Sequence, residues 1–375
     1  MPKIALVHDY FTQQGGAESA CAELYQCLPN ADLFATVALP ELVPPSLAGV
    51  HIHTSWMQNL PQMKKRHRLY FPAYPFGISS LKLNNYDLVI SSTSSYAKGV
   101  RTKNTSTHLC YCHTPMRWVW RYKDYAHREH FGLAQRTLLP ILLRGLKAWD
   151  QNAALQPDQF VANSEGVRER IWEAYRRQAV VIYPPIDVSR FSLSTTHDGY
   201  FLILSRLVAY KRLDIAIEAC NRLKRHLIVI GGGPDRARLE SLAGPTVVFK
   251  GRLPDNEVNE YVARCQALLF PGEEDFGLTP LEVASAGKPT VAFRGGGALE
   301  TIVPYVTGVL FDTDTAASVA NAIEDLENTT WSPTALRQHA SRFDRSVFHR
   351  RFRTLISSMG ININLPVPTV AGTDI

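Results

Sequence analysis

No run in this 375-residue chain approaches the ~18 consecutive apolar residues that a membrane-crossing helix needs. Cysteine is sparse: Cys21, Cys27, Cys110, Cys112, Cys220 and Cys265 contain no C-x-x-C pair. That leaves out the usual zinc and redox spacings, and a chain this long needs no disulfide staples, so a reducing cytoplasm fits. His51-x-His53 is an isolated pair with no third ligand nearby. Gly231-Gly232-Gly233-Pro234 lacks both the G-x-G-x-x-G spacing and a Walker lysine, which favours a tight turn over a phosphate loop. No module motif of a nucleic-acid-binding protein appears, and neither do internal repeats or low-complexity segments. The opening residues 3–9 are too short for a signal-peptide core and read as a buried first strand.

What remains is ordinary globular material with an uneven charge. Hydrophobic residues make up 45% and charged residues 20%, enough for two domains. Residues 1–183 hold 20 Lys/Arg against 13 Asp/Glu, whereas residues 184–375 hold 20 against 21. The whole basic excess of +6 therefore belongs to the first half, which points to an anionic partner there, such as a membrane surface, a nucleic acid or an acidic substrate. It is densest in Lys64-Lys65-Arg66-His67-Arg68, with Trp56, Tyr74 and Phe76 nearby in sequence. Cations followed by aromatics suit peripheral contact with anionic lipid headgroups, and a solvated loop with core-filling aromatics is the alternative.

Short apolar runs alternate with helical patterns along the chain. In the first half the strand-like runs are 4–7, 33–37, 88–91, 108–112, 159–162 and 180–182. In the second they are 200–204, 227–230, 246–249, 267–270, 290–293 and 308–311. This predicts an α/β protein of two Rossmann-like, doubly wound parallel-sheet domains, residues 1–183 and 184–342. Pro184 and Pro185 stiffen the junction and forbid helix there. Residues 360–375 read as a loose tail. Open α/β sheets bind ligands at the carboxyl ends of their strands, so two of them on one linker imply an interdomain cleft.

The segments that follow strands carry the chemistry. Pro271-Gly272-Glu273-Glu274-Asp275-Phe276-Gly277-Leu278-Thr279-Pro280-Leu281-Glu282 runs from a strand into a helix expected over 280–286. The free N–H groups of that helix start suit a diphosphate, Glu274 suits sugar hydroxyls and Glu282 a ribose. Thr279 to Glu282 also spells a capping box, with Thr279 as N-cap. Arg206 and Lys211, five apart after the first strand of the second half, could clamp a pyrophosphate, or could simply be a solvated basic loop. Gly15 and Gly16, between the first strand and helix, allow close backbone approach to a ligand or form a plain turn. His113 ends an inner strand of the first domain, with Arg117 four residues on.

Together these segments resemble retaining glycosyltransferase family 4, of the GT-B architecture, up to about residue 359. The E-x7-E pair Glu274/Glu282 and the Arg206/Lys211 pair carry the resemblance. VHDYFTQQGGAE, YDLVISSTSSYAKGV, YCHTPMRWVW and VIYPPID resemble the branch with mannosyltransferases of O-antigen and exopolysaccharide assembly. The resemblance implies a hexosyltransferase drawing on a nucleotide sugar, GDP-mannose in that branch, and acting on a glycan or lipid-linked acceptor at the inner face of the membrane. Arg206 and Lys211 would hold the diphosphate, Glu274 the transferred hexose and Glu282 the ribose. Phe276, Gly277, Leu278 and Thr279 would offer backbone N–H groups. His113 would sit over the sugar, and Gly251 and Arg252 would border the base. Gly15 and Gly16 would face the diphosphate from the acceptor-binding domain, where Tyr10 and Arg117 are expected on the acceptor side. No metal or other cofactor is expected: Asp312-x-Asp314 has the look of a metal-binding D-x-D, but it follows a late strand and opens a helix, where aspartates cap. Residues 343–359 would form a helix crossing back to the first domain. The same fold with a UDP- or ADP-sugar donor, a sugar-nucleotide epimerase and an inactive nucleotide-sugar-binding scaffold are the competing readings.

Overall fold

The computed structural model describes residues 2–28, 30–121 and 133–361. The expected tail therefore falls almost wholly outside the described residues. Two parallel sheets organise the chain. The first has seven strands: β1 (Ile4–His8), β2 (Asp32–Ala35), β3 (Ile52–Thr54), β4 (Leu88–Thr93), β5 (Thr107–Cys112), β6 (Gln159–Ala162) and β7 (Ala179–Val181), in the order β3-β2-β1-β4-β5-β6-β7. The second has six: β8 (Phe201–Leu204), β9 (Leu227–Ile230), β10 (Val247–Gly251), β11 (Ala267–Phe270), β12 (Thr290–Phe293) and β13 (Gly308–Phe311), in the order β10-β9-β8-β11-β12-β13. Every residue of β1, β4 and β11 is buried, because helices cover both faces of a parallel sheet and leave no polar side.

In each sheet the chain winds outward one way and then jumps back across its first strand. Those reversals lie between β1 and β4 and between β8 and β11. Helices leave opposite faces on either side of such a point, so a crevice opens at the strands' carboxyl ends. His8 and Asp9 stand at one reversal, and the turns after Leu204 and Phe270 at the other.

Residues 40–86 differ from a simple helical crossover. They fold into short 3-10 turns, two short helices (Met63–Arg66 and Tyr74–Ser79) and the edge strand β3. Prolines 40, 44, 45, 61, 72 and 75 keep any of these from growing. Tyr74, placed by its sequence neighbours at an exposed interface, is instead in the core. Its ring stacks on Tyr96 at 5.0 Å and meets Tyr10 edge-on at 5.4 Å.

The chain crosses between the domains twice. Tyr183 to Ile186 runs outward, and the bridge Ile186↔Asp344 places the return beside it. The helix Arg345–Ser358 then lies on the N-terminal domain. Phe348, Phe352 and Ile356 join the core built around Leu24, Leu28 and Leu33, with Tyr111 edge-on to Phe348 at 5.9 Å. Arg345 bonds Glu23 and Asp187, each at 2.8 Å, and so ties helix, linker and first domain together.

Candidate functional site

The cleft is lined by two loops of the C-terminal domain and three strand ends of the N-terminal one. The first loop follows β8. Leu207 is fully buried and plugs this loop into the core, leaving Arg206 exposed at the mouth. The glycine run 231–233 explains how the loop lies so close: a Cβ on Gly231 would overlap the Ser205 carbonyl oxygen, and one on Gly233 that of Leu207. The run is thus a backbone-packing surface beneath the Arg206 loop. Arg206 donates to Tyr210 Oη at 3.2 Å and, across the cleft, to Gln13 Oε1 at 3.5 Å. Lys211 closes the loop at 8% exposure, and its ammonium is paired with the Glu274 carboxylate. Burial pushes this ammonium down to about 7, and the positive charges of Arg206 and Arg117 push the same way while Asp275 opposes them.

The second loop follows β11. Gly272 must be glycine for the two loops to meet, since a Cβ there would stand 2.7 Å from both Cα and O of Lys211. Gly296 and Gly297 lie under the loop from β12; side chains there would collide with the carbonyls of Glu274 and Phe276. Gly297 N–H donates to the Glu274 carbonyl at 2.8 Å. Each residue of the loop has its own anchor. Glu274 takes Lys211, Asp275 takes Arg117 and Arg170, and buried Phe276 stacks on Tyr183 at 5.3 Å and meets Phe343 at a tilt at 5.8 Å.

The helix that follows spans Leu278–Ser285, two residues earlier than expected. Its N-cap is Gly277 at φ +83°, with no side-chain cap. Thr279 is already inside the first turn, so the capping-box reading is corrected: a left-handed glycine turns the chain into the helix and leaves the N–H groups of its first turn without a side-chain acceptor. Pro280 is the third helical residue and gives up a hydrogen that had no intrahelical acceptor. Glu282 is half-buried, and burial raises its carboxyl above the ordinary range. The Gly15–Gly16 turn faces this helix start: a Cβ on Gly16 would touch Leu278 Cδ1 at 3.7 Å. Gly251, at φ +74°, ends β10, and Arg252 follows it beside Gly232.

On the N-terminal side, His113 donates its backbone N–H to Thr93 O at 2.8 Å and places Nε2 2.9 Å from Ser92 Oγ. The same Ser92 Oγ lies 3.1 Å from His8 Nδ1. Burial, aided by His8, drops the His113 pKa to about 3, so the ring is neutral and serves as a hydrogen-bonding group, not as a proton donor at neutral pH. Asp9 fixes the turn after β4 by accepting from the N–H groups of Ser94, Tyr96 and Ala97 at 2.6 to 2.8 Å. Tyr10, next to Asp9 after β1, meets Tyr74 of the Tyr74–Tyr96 cluster edge-on. Glu18 is buried in the first turn of the helix Gly16–Cys27 and accepts from Gln13 at 3.2 Å. Asp312 and Asp314 do not converge: the first pairs with Arg294 at 2.6 Å, the second with Arg212.

Residues 14–190 match the model of Glycosyltransferase Family 4, and residues 185–343 that of Glycosyl transferases group 1. The chain belongs to glycosyltransferase family 4. Its fold is GT-B. It superposes on Anabaena Alr3699/HepE in complex with UDP and glucose with a TM-score of 0.70 at 20% identity, over 96% of this chain and 100% of that one. Sucrose-phosphate synthase from Thermosynechococcus elongatus gives 0.71 at 16% identity, over 96% and 99%. Among sequence relatives, the GDP-mannose-dependent alpha-(1-6)-phosphatidylinositol monomannoside mannosyltransferase of Mycolicibacterium smegmatis is 32% identical over 222 residues, 51% of this chain and 57% of that protein. The O-antigen chain mannosyltransferase C of Escherichia coli is 27% identical over 206 residues, 50% and 54%. The chain thus spans about half the length of the curated relatives it matches.

Within this family 4 glycosyltransferase the structure brings Gly15, Gly16, Arg117, Arg206, Lys211, Glu274 and the Gly277–Thr279 helix start to one cleft, with His113 close enough for its charge state to feel Asp275. Lys64, Lys65, Arg66 and Arg68 are exposed outside these cleft contacts, with Lys64 paired to Glu41. Sequence reasoning missed Arg170, Gly296, Gly297 and Asp9. Asp9, directly after a strand, and the glycines, in the loop that follows one, carried a usable signal; Arg170 sits mid-helix and carried none.

Proposed function

We propose that this enzyme transfers a hexose, mannose from GDP-mannose, to a glycan or lipid-linked acceptor with retention of anomeric configuration and without a metal ion, in surface-polysaccharide assembly. One observation carries the reading: the buried Lys211 ammonium, beside Arg206, is paired with Glu274 shortly before a helix whose first residue, Leu278, lies against Gly16 of the opposite domain. A diphosphate in that space meets two cations and a helix N-terminus, which stabilise the charge that grows on it as the glycosidic bond breaks. Glu274, relieved of Lys211 by the phosphate, is left to accept hydrogen bonds from the hexose hydroxyls. Neutral His113 offers a further hydrogen bond from the opposite domain. A retaining mechanism without a protein nucleophile needs no pair of carboxylates flanking the sugar. Mannose is favoured by the relatives' names, and the retained hallmark residues favour turnover over an inactive scaffold.

The acceptor side is proposed to rest on an anionic membrane. Lys64, Lys65, Arg66 and Arg68 share their segment with Leu69 and Phe76, which are 69% and 70% exposed, and Trp56 is half-exposed nearby. No helix among the described residues is long and apolar enough to cross a bilayer. The deciding experiment offers labelled GDP-mannose, UDP-glucose and ADP-glucose in excess EDTA, with and without lipid-linked acceptor. Acceptor-dependent transfer from GDP-mannose is expected. Transfer from another donor changes the assignment, conversion of the donor without acceptor establishes an epimerase, and rescue only by magnesium or manganese removes the metal-free mechanism.

A further inference from the structure

We infer that Asp275 is a positioning residue whose carboxylate, shared between Arg117 and Arg170 of the opposite domain, fastens the sugar-binding loop to the N-terminal domain and so sets Glu274 against His113. The inference rests on the transferase reading above. One carboxylate oxygen takes Arg117, from the first turn after β5, and the other takes Arg170, from the helix Glu165–Tyr175. All three side chains are largely withdrawn from water, at 16% exposure for Asp275, 29% for Arg117 and 18% for Arg170. A pair so placed is unlike a solvated surface bridge: separating it leaves charges with little water to take them up.

The anchor points on either side decide what this contact does. Glu274 is held within its own domain by Lys211, and Phe276 is held at the hinge by Tyr183 and Phe343. Of the three, Asp275 is the one that, among the described residues, forms ion pairs with the other domain; just before it, Glu273 stands 3.8 Å from Arg121. Its field is felt by both His113 and Lys211, one on each wall of the cleft. The helix bearing Arg170 is gripped a second time: the Glu300 carboxylate accepts from the N–H groups of Glu165 at 2.8 Å and Gly166 at 3.2 Å. Glu300 lies in the turn of helix (Ala298–Thr301) directly after Gly296 and Gly297, which support the loop from beneath. Loop and support thus hold the same N-terminal-domain helix, one at its first turn and one a turn further along. Opening the cleft must break both, and closing it brings Glu274 to the wall that carries His113.

The test compares wild type with Asp275→Asn, Asp275→Glu, Arg170→Gln and the double variant Asp275→Asn/Arg170→Gln. Each is measured for kcat and KM with GDP-mannose, for GDP affinity by calorimetry, and for radius of gyration by solution scattering. Asp275→Asn is expected to lower kcat at least ~30-fold while GDP affinity stays within about threefold, because the contact joins domains and does not touch the nucleotide. Its radius of gyration is expected to rise. Arg170→Gln is expected to act in the same direction, the double variant no worse than Asp275→Asn, and Asp275→Glu to recover part of the loss. Additive losses, or wild-type kcat and radius of gyration in Asp275→Asn, would overturn the inference. Parallel losses of GDP affinity and kcat would make Asp275 a donor ligand and equally overturn it. If no nucleotide sugar is turned over by wild type, the transferase reading fails, and the scattering comparison still decides the latch.

Discussion

Replacing Lys211 by Met keeps most of the volume of the buried side chain and removes its charge. In the folded protein this ammonium loses its proton near pH 7, against about 10.5 for an ordinary lysine. Taken alone, that displacement is worth roughly 5 kcal/mol, an upper bound because Glu274 pairs with the same group. Between about pH 7 and 10.5 the native protein therefore binds fewer protons than the unfolded chain, and stability conferred at this position rises with pH across that window. Relative to Lys211→Met, wild type is expected to gain on the order of 1–2 kcal/mol between about pH 7.5 and 9.5 in denaturant titrations.

Nucleotide binding has the opposite slope. A diphosphate beside the ammonium favours its charged form, so binding takes up a proton wherever the free enzyme has lost it. Wild-type GDP affinity is then expected to weaken by up to ~tenfold per pH unit above about pH 8, with proton uptake visible as a buffer-dependent calorimetric heat. Lys211→Met is expected to bind more weakly at about pH 7 and to show almost none of that slope. Working above pH 7.5 keeps the phosphate's own titration out of the comparison. Parallel pH profiles for the two proteins would refute the reasoning, because the slope would then belong to some other group.

Glu274→Ala is expected to reduce transfer by two orders of magnitude or more with only a modest drop in Tm, since it removes no core atoms and the buried Lys211, left without its carboxylate, can shed its proton near neutral pH; rates within threefold of wild type would remove Glu274 from the reacting centre. Gly297→Ala forces a methyl group into the Phe276 backbone and is expected to cost ~1–3 kcal/mol of stability and to impair transfer, whereas Gly49→Ala, with nothing near its Cβ but φ at +80°, is expected to affect stability alone. Phe352→Ala is expected to destabilise the N-terminal domain by ~3–5 kcal/mol in chemical denaturation, although Phe352 lies beyond the C-terminal sheet in sequence; an unchanged N-terminal transition would show that the last helix is not part of that core.

What could be read in advance follows the range of the interactions involved. Strands such as Ile4–His8 and Leu88–Thr93 are legible because burial on two faces writes itself into consecutive residues. Arg206, Lys211 and Glu274 are legible because a strand end marks them locally. Edge strand β3 is not, since Ile52–Thr54 offers three residues, two of them polar and exposed. The Thr279–Glu282 tetrapeptide misleads for a related reason: it satisfies the capping pattern, and only the left-handed Gly277 just before it shows where the helix begins. Tyr74 misleads by its neighbours, which are cations on the surface while its own ring lies among Tyr10 and Tyr96.

The contact between Asp275 and its arginines was out of reach for a deeper reason. Its partners lie 158 and 105 residues away: Arg117 stands out after its strand but not as a partner of Asp275, and Arg170, mid-helix, leaves no local trace. Yet that is where an interdomain enzyme must place its coupling. Residues that pair within one domain can be encoded beside each other, as Lys211 and Glu274 are at neighbouring strand ends of one sheet. A residue that reports the position of the other domain must be paired across the chain, because no short segment contains both sides of a hinge. The glycines at 272, 296 and 297 belong to the same logic. Each lets one backbone segment lie directly on another, so that a movement of the cleft reaches Glu274 through contacts with no slack side chain between them.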